Sequence, residues 1–310
     1  MPTVVESNPL CHIFPVEISD LIFQHFTGTE LLKASEVSPS FYSYVAGTKA
    51  CMDKIKIKLS DRTMQDEEQK LLMRSDRKYK HLEVSKSSPL LEPAQQILAS
   101  QGRKWSSVAI RAVNFKTIED AYGFLRSIQS NVEKLVLKNV ALASLPKQTS
   151  QPVDLTFSKL KIFETDYCQH LMNTQPFINC TNLTTLSIKS GVFMNSSKEG
   201  VQKMLQNNEK LTVLRLGQIV TKTILKEDIS LSIQFKLKEF HIGSPYYEYS
   251  DRGNEDYKQN LNLFLKTQTE TLERITIGEG TGDEVMQTIK SMPNLKNLIV
   301  KSLGHHYSPA

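Results

Sequence analysis

The sequence predicts a mixed α/β fold: a curved solenoid with parallel strands on its concave side and helices outside, preceded by a small three-helix unit. Three observations carry that expectation. A hexamer of the form apolar-x-x-apolar-x-apolar returns ten times, and helix-length amphipathic segments fall between its copies. Ahead of the first copy, the 32 residues from Phe14 to Val45 hold three short apolar-patterned segments. The expected division is a tail over 1–13, a helical unit over 14–47, an array of about ten repeats over 48–303 and a tail over 304–310.

In the helical unit, Val16, Leu21, Ile22 and Phe26 fit one side of a first helix, with Ile18 adjoining. Leu31, Leu32, Ser35 and Val37 suggest a second helix beginning after Thr29. Ser38-Pro39 starts a third, because serine caps and proline tolerates the first helical position; Phe41, Tyr44 and Val45 follow. None of the three is long enough to stand alone, and together they can cover the apolar edge of the first strand. The link Gly47-Thr48-Lys49-Ala50 then leads directly into the array, so it should bend little.

The hexamer reads Met52-DK-Ile55-K-Ile57, Tyr79-KH-Leu82-E-Val84, Trp105-SS-Val108-A-Ile110, Val132-EK-Leu135-V-Leu137 and Leu160-KI-Phe163-E-Thr165. It continues as Leu183-TT-Leu186-S-Ile188, Leu211-TV-Leu214-R-Leu216, Leu237-KE-Phe240-H-Ile242, Leu272-ER-Ile275-T-Ile277 and Leu295-KN-Leu298-I-Val300. The starts lie 27, 26, 27, 28, 23, 28, 26, 35 and 23 residues apart. One such phrase is weak because apolar hexamers occur in any core; ten at a period near 27 mark a repeat.

Between phrases, TIEDAYGFLRSIQS and SKEGVQKMLQNN carry apolar residues at helical intervals. Thr117 with Asp120 forms a capping signal, and Ser197 with Gly200 a poorer one. A strand beside a helix leaves apolar flanks that only the next copy buries, so the units must stack.

Composition limits the function classes. The chain is 39% hydrophobic and 23% charged, with no apolar run of membrane-spanning length. MPTVVESNPL lacks the basic and apolar regions of a secretory signal, so a cytoplasmic or nuclear location is expected. Cys11, Cys51, Cys168 and Cys180 are scattered without a CxxC pair, which predicts reduced thiols. Most of the net charge of +5 comes from Lys49 to Lys86, where 11 basic residues face seven acidic ones. No base-reading motif accompanies that excess, and neither a nucleic-acid nor a membrane partner is indicated. No phosphate-binding, dinucleotide-binding, GxSxG or HExxH phrase occurs, and His25, His81 and His305-His306 lack a constellation around them. Neither an enzyme nor a cofactor is expected.

Residues 52 to 303 resemble a leucine-rich repeat array of the long, helix-containing type. That family places Asn or Cys in the turn after each strand, and here only the Asn139 and Cys168 regions offer counterparts. Residues 14 to 47 resemble an F-box: Phe14-Pro15-x-Glu17 with Ile18, Leu21, Ile22 and Phe26, then Glu30-Leu31-Leu32, then Val37-Ser38 and Phe41. Pro39-Ser40-Phe41-Tyr42 stands where the family has a basic residue and Trp. The pairing is similar to substrate receptors of cullin-RING ubiquitin ligases. The resemblance implies that Phe14, Pro15, Ile18, Leu21, Leu31, Leu32 and Val37 serve a Skp-family adaptor, some of them by holding the helices together. The adaptor would connect to cullin and RING subunits, and the repeats would bind a target protein.

On the strands, residues between the apolar positions face the concave side. They include Lys56, Lys58, Glu83, Arg111, Val136, Lys138, Glu164, Asp166, Lys189, Arg215, His241 and Lys301. The basic bias suits an acidic or phosphorylated target, but scattered solvent-facing charge is the better description of it. The long interval carries SPYYEYSDRGNED, in which Tyr246, Tyr247 and Tyr249 suggest either a recognition loop or a packed excursion. ALASLPKQTSQPVD, 141–154, replaces a clear repeat helix, and its role is open. The competing reading is a repeat scaffold that recruits no ligase, its first helices serving only as a cap.

Overall fold

The computed structural model describes residues 14–60, 77–87, 104–142, 155–168, 179–189, 195–225, 232–243, 255–278 and 281–301. The chain is mixed α/β, with nine helices and eleven strands among the described residues, and its strands run in parallel ladders. It divides into two compact units, residues 1–109 and 110–310, so the three-helix stretch shares a unit with the first strands.

The first unit opens with helices α1 (Val16–Phe23), α2 (Gly28–Val37), α3 (Pro39–Gly47) and α4 (Lys49–Met52). Strands β1 (Lys56–Leu59) and β2 (His81–Ser87) follow, and β3 (Ser107–Phe115) crosses the division. α2 starts earlier than expected: Thr27 is its cap, accepting from the Glu30 N–H at 3.3 Å, while the Glu30 carboxylate accepts from the Thr27 N–H at 2.7 Å. This reciprocal pair satisfies two helix-end donors, which a start at Thr29 would leave open. α3 begins as expected, with the Ser38 hydroxyl accepting from the Phe41 N–H at 3.2 Å.

An aromatic cluster sets how α1 faces. The Phe23 ring centroid lies 5.2 Å from that of Phe26, 5.8 Å from Phe41 and 4.9 Å from Tyr44. The Tyr44 hydroxyl donates to Asp20. Burying Phe23 together with Ser19, one turn earlier, rotates Ile18, Leu21 and Ile22 outward. Three residues of the apolar side read from the sequence are thus exposed together, and Phe26 lies beyond the end of α1. The side chain of Val16 lies outside the described residues.

The link to the first strand is itself the helix α4. Behind it, the Lys54 ammonium donates to the carbonyl oxygens of Gln24 and, at 3.1 Å, Phe26, placing a cation at the C-terminal end of α1. This contact brings the Lys54 backbone against Gly28, where a Cβ would lie 2.3 Å from the Lys54 carbonyl oxygen. Gly28→Ala is expected to cost about 2 kcal/mol through that overlap, read as a lower midpoint in thermal unfolding.

β1 corrects the repeat register. It pairs in parallel with β2 through Ile57↔Leu82 and Leu59↔Val84. The first copy therefore sits two residues later than Met52-DK-Ile55-K-Ile57, because Met52 is taken up by α4.

The second unit holds the rest of β3, then β4 (Lys134–Lys138), β5 (Ala141–Leu142), β6 (Ile162–Asp166), β7 (Thr185–Ile188), β8 (Val213–Leu216), β9 (Glu239–Ile242), β10 (Arg274–Gly278) and β11 (Asn297–Lys301). Its helices are α5 (Ile118–Ile128), α6 (Asn195–Gln206), α7 (Gln218–Ile224), α8 (Glu255–Thr267) and α9 (Asp283–Lys290). From β4 to β11 the order follows the chain, with β5 set aside on β3. Leu135, Phe163, Leu186, Leu214, Phe240, Ile275 and Leu298 stand in one row of Cα partners, so seven phrases align as read. Thr117 and Asp120 cap α5 reciprocally at 3.2 and 3.1 Å. Ser197 does not start α6, which begins at Asn195.

Ala112, Asn139 and Tyr167 take left-handed φ of 52°, 52° and 51°, each two residues past the third apolar position of its phrase; Ala112 lies within β3, whereas Asn139 and Tyr167 directly follow β4 and β6. Asparagine enters this region at low cost, and the Asn139 N–H donates to the Asp166 carbonyl at 2.8 Å. The counterpart of Asn139 in the β6 turn is thus Tyr167; Cys168 stands one residue further on and is buried. After β8 the chain instead relies on close approach, since a Cβ at Gly217 would lie 1.8 Å from the Lys189 carbonyl oxygen.

Two buried amides tie neighbouring repeats. Asn208, just after α6, accepts from the Leu183 N–H at 2.8 Å and donates to the carbonyls of Cys180 at 2.5 Å and Met204 at 2.7 Å. Gln268, just after α8, accepts from the Leu237 N–H at 2.9 Å. Each reaches the opening residue of the preceding phrase, whose N–H has no ladder partner of its own.

Cys51, Cys168 and Cys180 are buried thiols outside any disulfide. Burial pushes Cys168 up to about 11 and Cys180 up to about 12, and it raises Cys51 as well. All three are expected to resist iodoacetamide in the native chain and to react on unfolding, as peptide mass spectrometry would record.

Candidate functional site

Two surfaces hold the residues singled out from the sequence. On the first unit, Ile18, Leu21 and Ile22 lie at i, i+3 and i+4 of α1 and share one exposed face, with Leu21 54% accessible. Phe14 and Pro15, directly ahead of α1, are also exposed. Val37 ends α2 at 74% exposure, whereas Leu32 is half-buried and Leu31 is fully buried. Leu31 therefore acts in the packing of the helices and offers no surface to a partner. Phe41 is likewise turned inward, onto Phe23. Ile18, Leu21 and Ile22 thus form one group of exposed aliphatic side chains on α1.

The other candidates lie on strands. In the first unit, Lys56 and Lys58 alternate with buried Ile57 and Leu59, and the Lys56 ammonium donates to Glu83 at 3.2 Å. In the second unit, Arg111 and Lys138 are half-buried, Val136 is buried, and Glu164 pairs with Lys134 at 3.1 Å. Lys138 is the Cα partner of Asp166, so this part of the face mixes both signs. Lys189 and Lys301 are exposed. Tyr246, Tyr247 and Tyr249 lie outside the described residues, as does 143–154 of the other irregular segment.

Arg215 and His241 are brought side by side as Cα partners on β8 and β9. Their common neighbour is Glu239, which the sequence reading passed over. Its carboxylate accepts from Arg274, and from Arg215 and His241 at 3.5 Å each. The concave residues expected from the sequence follow the second and third apolar positions of each phrase. Alternation places the residue just before the second on the same face, and Glu239 and Arg274 stand there.

Burial holds the His241 imidazole below the usual histidine range, helped by the Arg215 and Lys301 cations and opposed by the Glu239 hydrogen bond. Burial lowers His81 in the same way. An unfolded chain therefore takes up protons on these histidines before the folded one does. Stability should be full above about pH 6.5 and decline as pH falls from there toward the lowered folded values. The midpoint of thermal unfolding is expected to drop between pH 7.5 and 5.5, and less steeply in a His81→Gln/His241→Gln variant.

Among the described residues no group of three His, Cys, Asp or Glu side chains could hold a metal ion. Nor is any described helix long and apolar enough to cross a membrane. No family model matches the chain, and no curated protein matches it.

Proposed function

We propose that the chain is a noncatalytic substrate receptor of an SCF-type cullin-RING ubiquitin ligase, acting in the cytoplasm or nucleus. In this reading residues 14–47 are an F-box that docks a Skp-family adaptor, and the parallel strands and their helices form a leucine-rich-repeat solenoid that receives a target protein. A separate RING subunit with its conjugating enzyme transfers ubiquitin, and this chain supplies proximity by raising the local concentration of the target lysine.

The observation that carries the reading is the outward apolar face of α1. Phe14, Ile18, Leu21 and Ile22 are exposed although a complete aromatic cluster lies on the other side of the helix. These positions coincide with the residues through which the F-box resemblance runs, and burying such side chains is what anchors a small interface.

The test is copurification of the full chain with a Skp-family adaptor, repeated with Leu21→Asp and with Ile18→Asp. Both side chains are exposed, so both variants should unfold at the original temperature while the stoichiometric complex is lost. An original chain that forms no complex with the adaptor would overturn the proposal in favour of a scaffold without ligase recruitment. Leu31 is unsuitable for this comparison, since a charge at a fully buried site would unfold the helices first.

A further inference from the structure

The face of the second unit from β7 to β11 forms a grid of three rows. One row is Thr185, Val213, Glu239, Arg274 and Asn297; the next is Ser187, Arg215, His241, Thr276 and Ile299. The third row lies one alternation further along: Lys189, Gly217, Gly243, Gly278 and Lys301. Backbone bonds extend the ladder into it, from the Lys189 N–H to the Thr165 carbonyl at 3.0 Å, Gly217 to Ile188 at 2.8 Å and Gly243 to Leu216 at 2.7 Å. Gly217 is buried, while Gly243 and Gly278 are half-buried and present backbone between the two exposed lysines.

Only Gly217 is demanded by the chain's own packing. A Cβ at Gly243 would meet nothing closer than 3.5 Å, and at Gly278 nothing within 4 Å among the described residues. Neither has a left-handed backbone. Among the described residues nothing packs where these two side chains would stand, which leaves a shelf there. Beside the shelf, Ser187 is 1% exposed and its hydroxyl has no hydrogen-bond partner, although it is the Cα partner of Arg215.

Among the described residues the face carries Lys189, Arg215, Arg274 and Lys301 against one carboxylate, Glu239, which is already engaged by Arg215, Arg274 and His241. Lys189 and Lys301 have no salt-bridge partner among the described residues. Four interstrand steps of about 4.8 Å separate them by roughly 19 Å, a distance that an extended peptide covers in about six residues. Cations held apart as single charges match a series of single carboxylates. A phosphate would require several donors converging on one point.

We propose that this face binds an extended acidic segment of a protein partner, laid across β7 to β11 along the glycine shelf, with carboxylates at Lys189, Arg215 and Lys301. The proposal rests on the reading of the strand face as a target surface and does not depend on adaptor docking.

The probe is a fluorescein-labelled dodecapeptide alternating glutamate and valine, titrated against the full chain by anisotropy. Lys189→Glu/Lys301→Glu should weaken binding at least tenfold. Gly278→Val, which fills the open shelf, should weaken it severalfold with the unfolding temperature unchanged. Lys266→Glu, on α8, should leave it unaltered. No binding of the probe overturns the proposal, as does equal weakening by Lys266→Glu, which would mean diffuse attraction. A probe that binds only when two glutamates are replaced by phosphoserine also overturns it. Adaptor copurification is unaffected by the shelf variants and peptide binding by Leu21→Asp, so either reading can fail alone.

Discussion

Phe240→Ala is expected to destabilise the chain by about 4 kcal/mol, a large part of the total stability of an ordinary domain. Phe240 stands in the central apolar row on β9, fully buried, with its ring centroid 5.1 Å from that of Phe264 on α8. Its removal leaves a cavity between strand and helix that neither neighbour can close, because Leu214 and Ile275 on the adjoining strands are themselves buried in the same row. Each repeat is stabilised mainly by its neighbours, so the damage should spread from β9 to β8 and β10 before it reaches β4. Amide hydrogen exchange would show that gradient, and urea unfolding would give the size. A loss below about 1 kcal/mol would mean that the strand–helix contact is not the core of the unit.

Asn208→Leu follows at about 3 kcal/mol, for a different reason. The volume is nearly kept, but the Leu183 N–H and the carbonyls of Cys180 and Met204 lose a buried partner at once. Asn208→Asp separates the contributions. A carboxylate still accepts from Leu183 yet cannot donate to the two carbonyls, and it brings a charge into a site that is 1% exposed. It should cost as much as leucine. If Asn208→Asp proves nearly neutral in urea unfolding, the amide's donor bonds contribute little and the latch is weaker than its geometry indicates.

The repeat was legible because its signal is redundant: one central row of apolar side chains running from Leu135 to Ile275 has to be buried in register, and each copy restates the constraint. Where redundancy fails, reading fails with it. At the array's start Met52 and Ile55 fit the phrase by spacing, but a four-residue helix claims Met52, which only the Lys54 contacts with the end of α1 make evident. The facing of α1 was left open because its apolar residues exceed what three short helices can bury, and the choice of Phe23 over Leu21 depends on where Phe41 and Tyr44 arrive from α3.

The charged face was half legible. Alternation gave Arg215 and His241, while Glu239 was hidden by counting only two of the three outward positions in each phrase. Asn208 and Gln268 left a fainter trace, an amide three or four residues ahead of the next phrase, and no local rule distinguishes such an amide from a solvated one. Their reach into the preceding repeat exists only after stacking.

β11 carries a consequence for the making of the protein. All five of its residues are exposed, including Leu298, Ile299 and Val300, because no further described strand stands beside it. During synthesis every strand of the ladder passes through that condition. When β8 has left the ribosome and β9 has not, the edge of β8 is the bare one, with Leu214 and Leu216 waiting for a neighbour that is 26 residues away in the sequence. The aggregation-prone edge thus travels along the nascent chain as a moving front, and a pause in translation exposes whichever strand was made last.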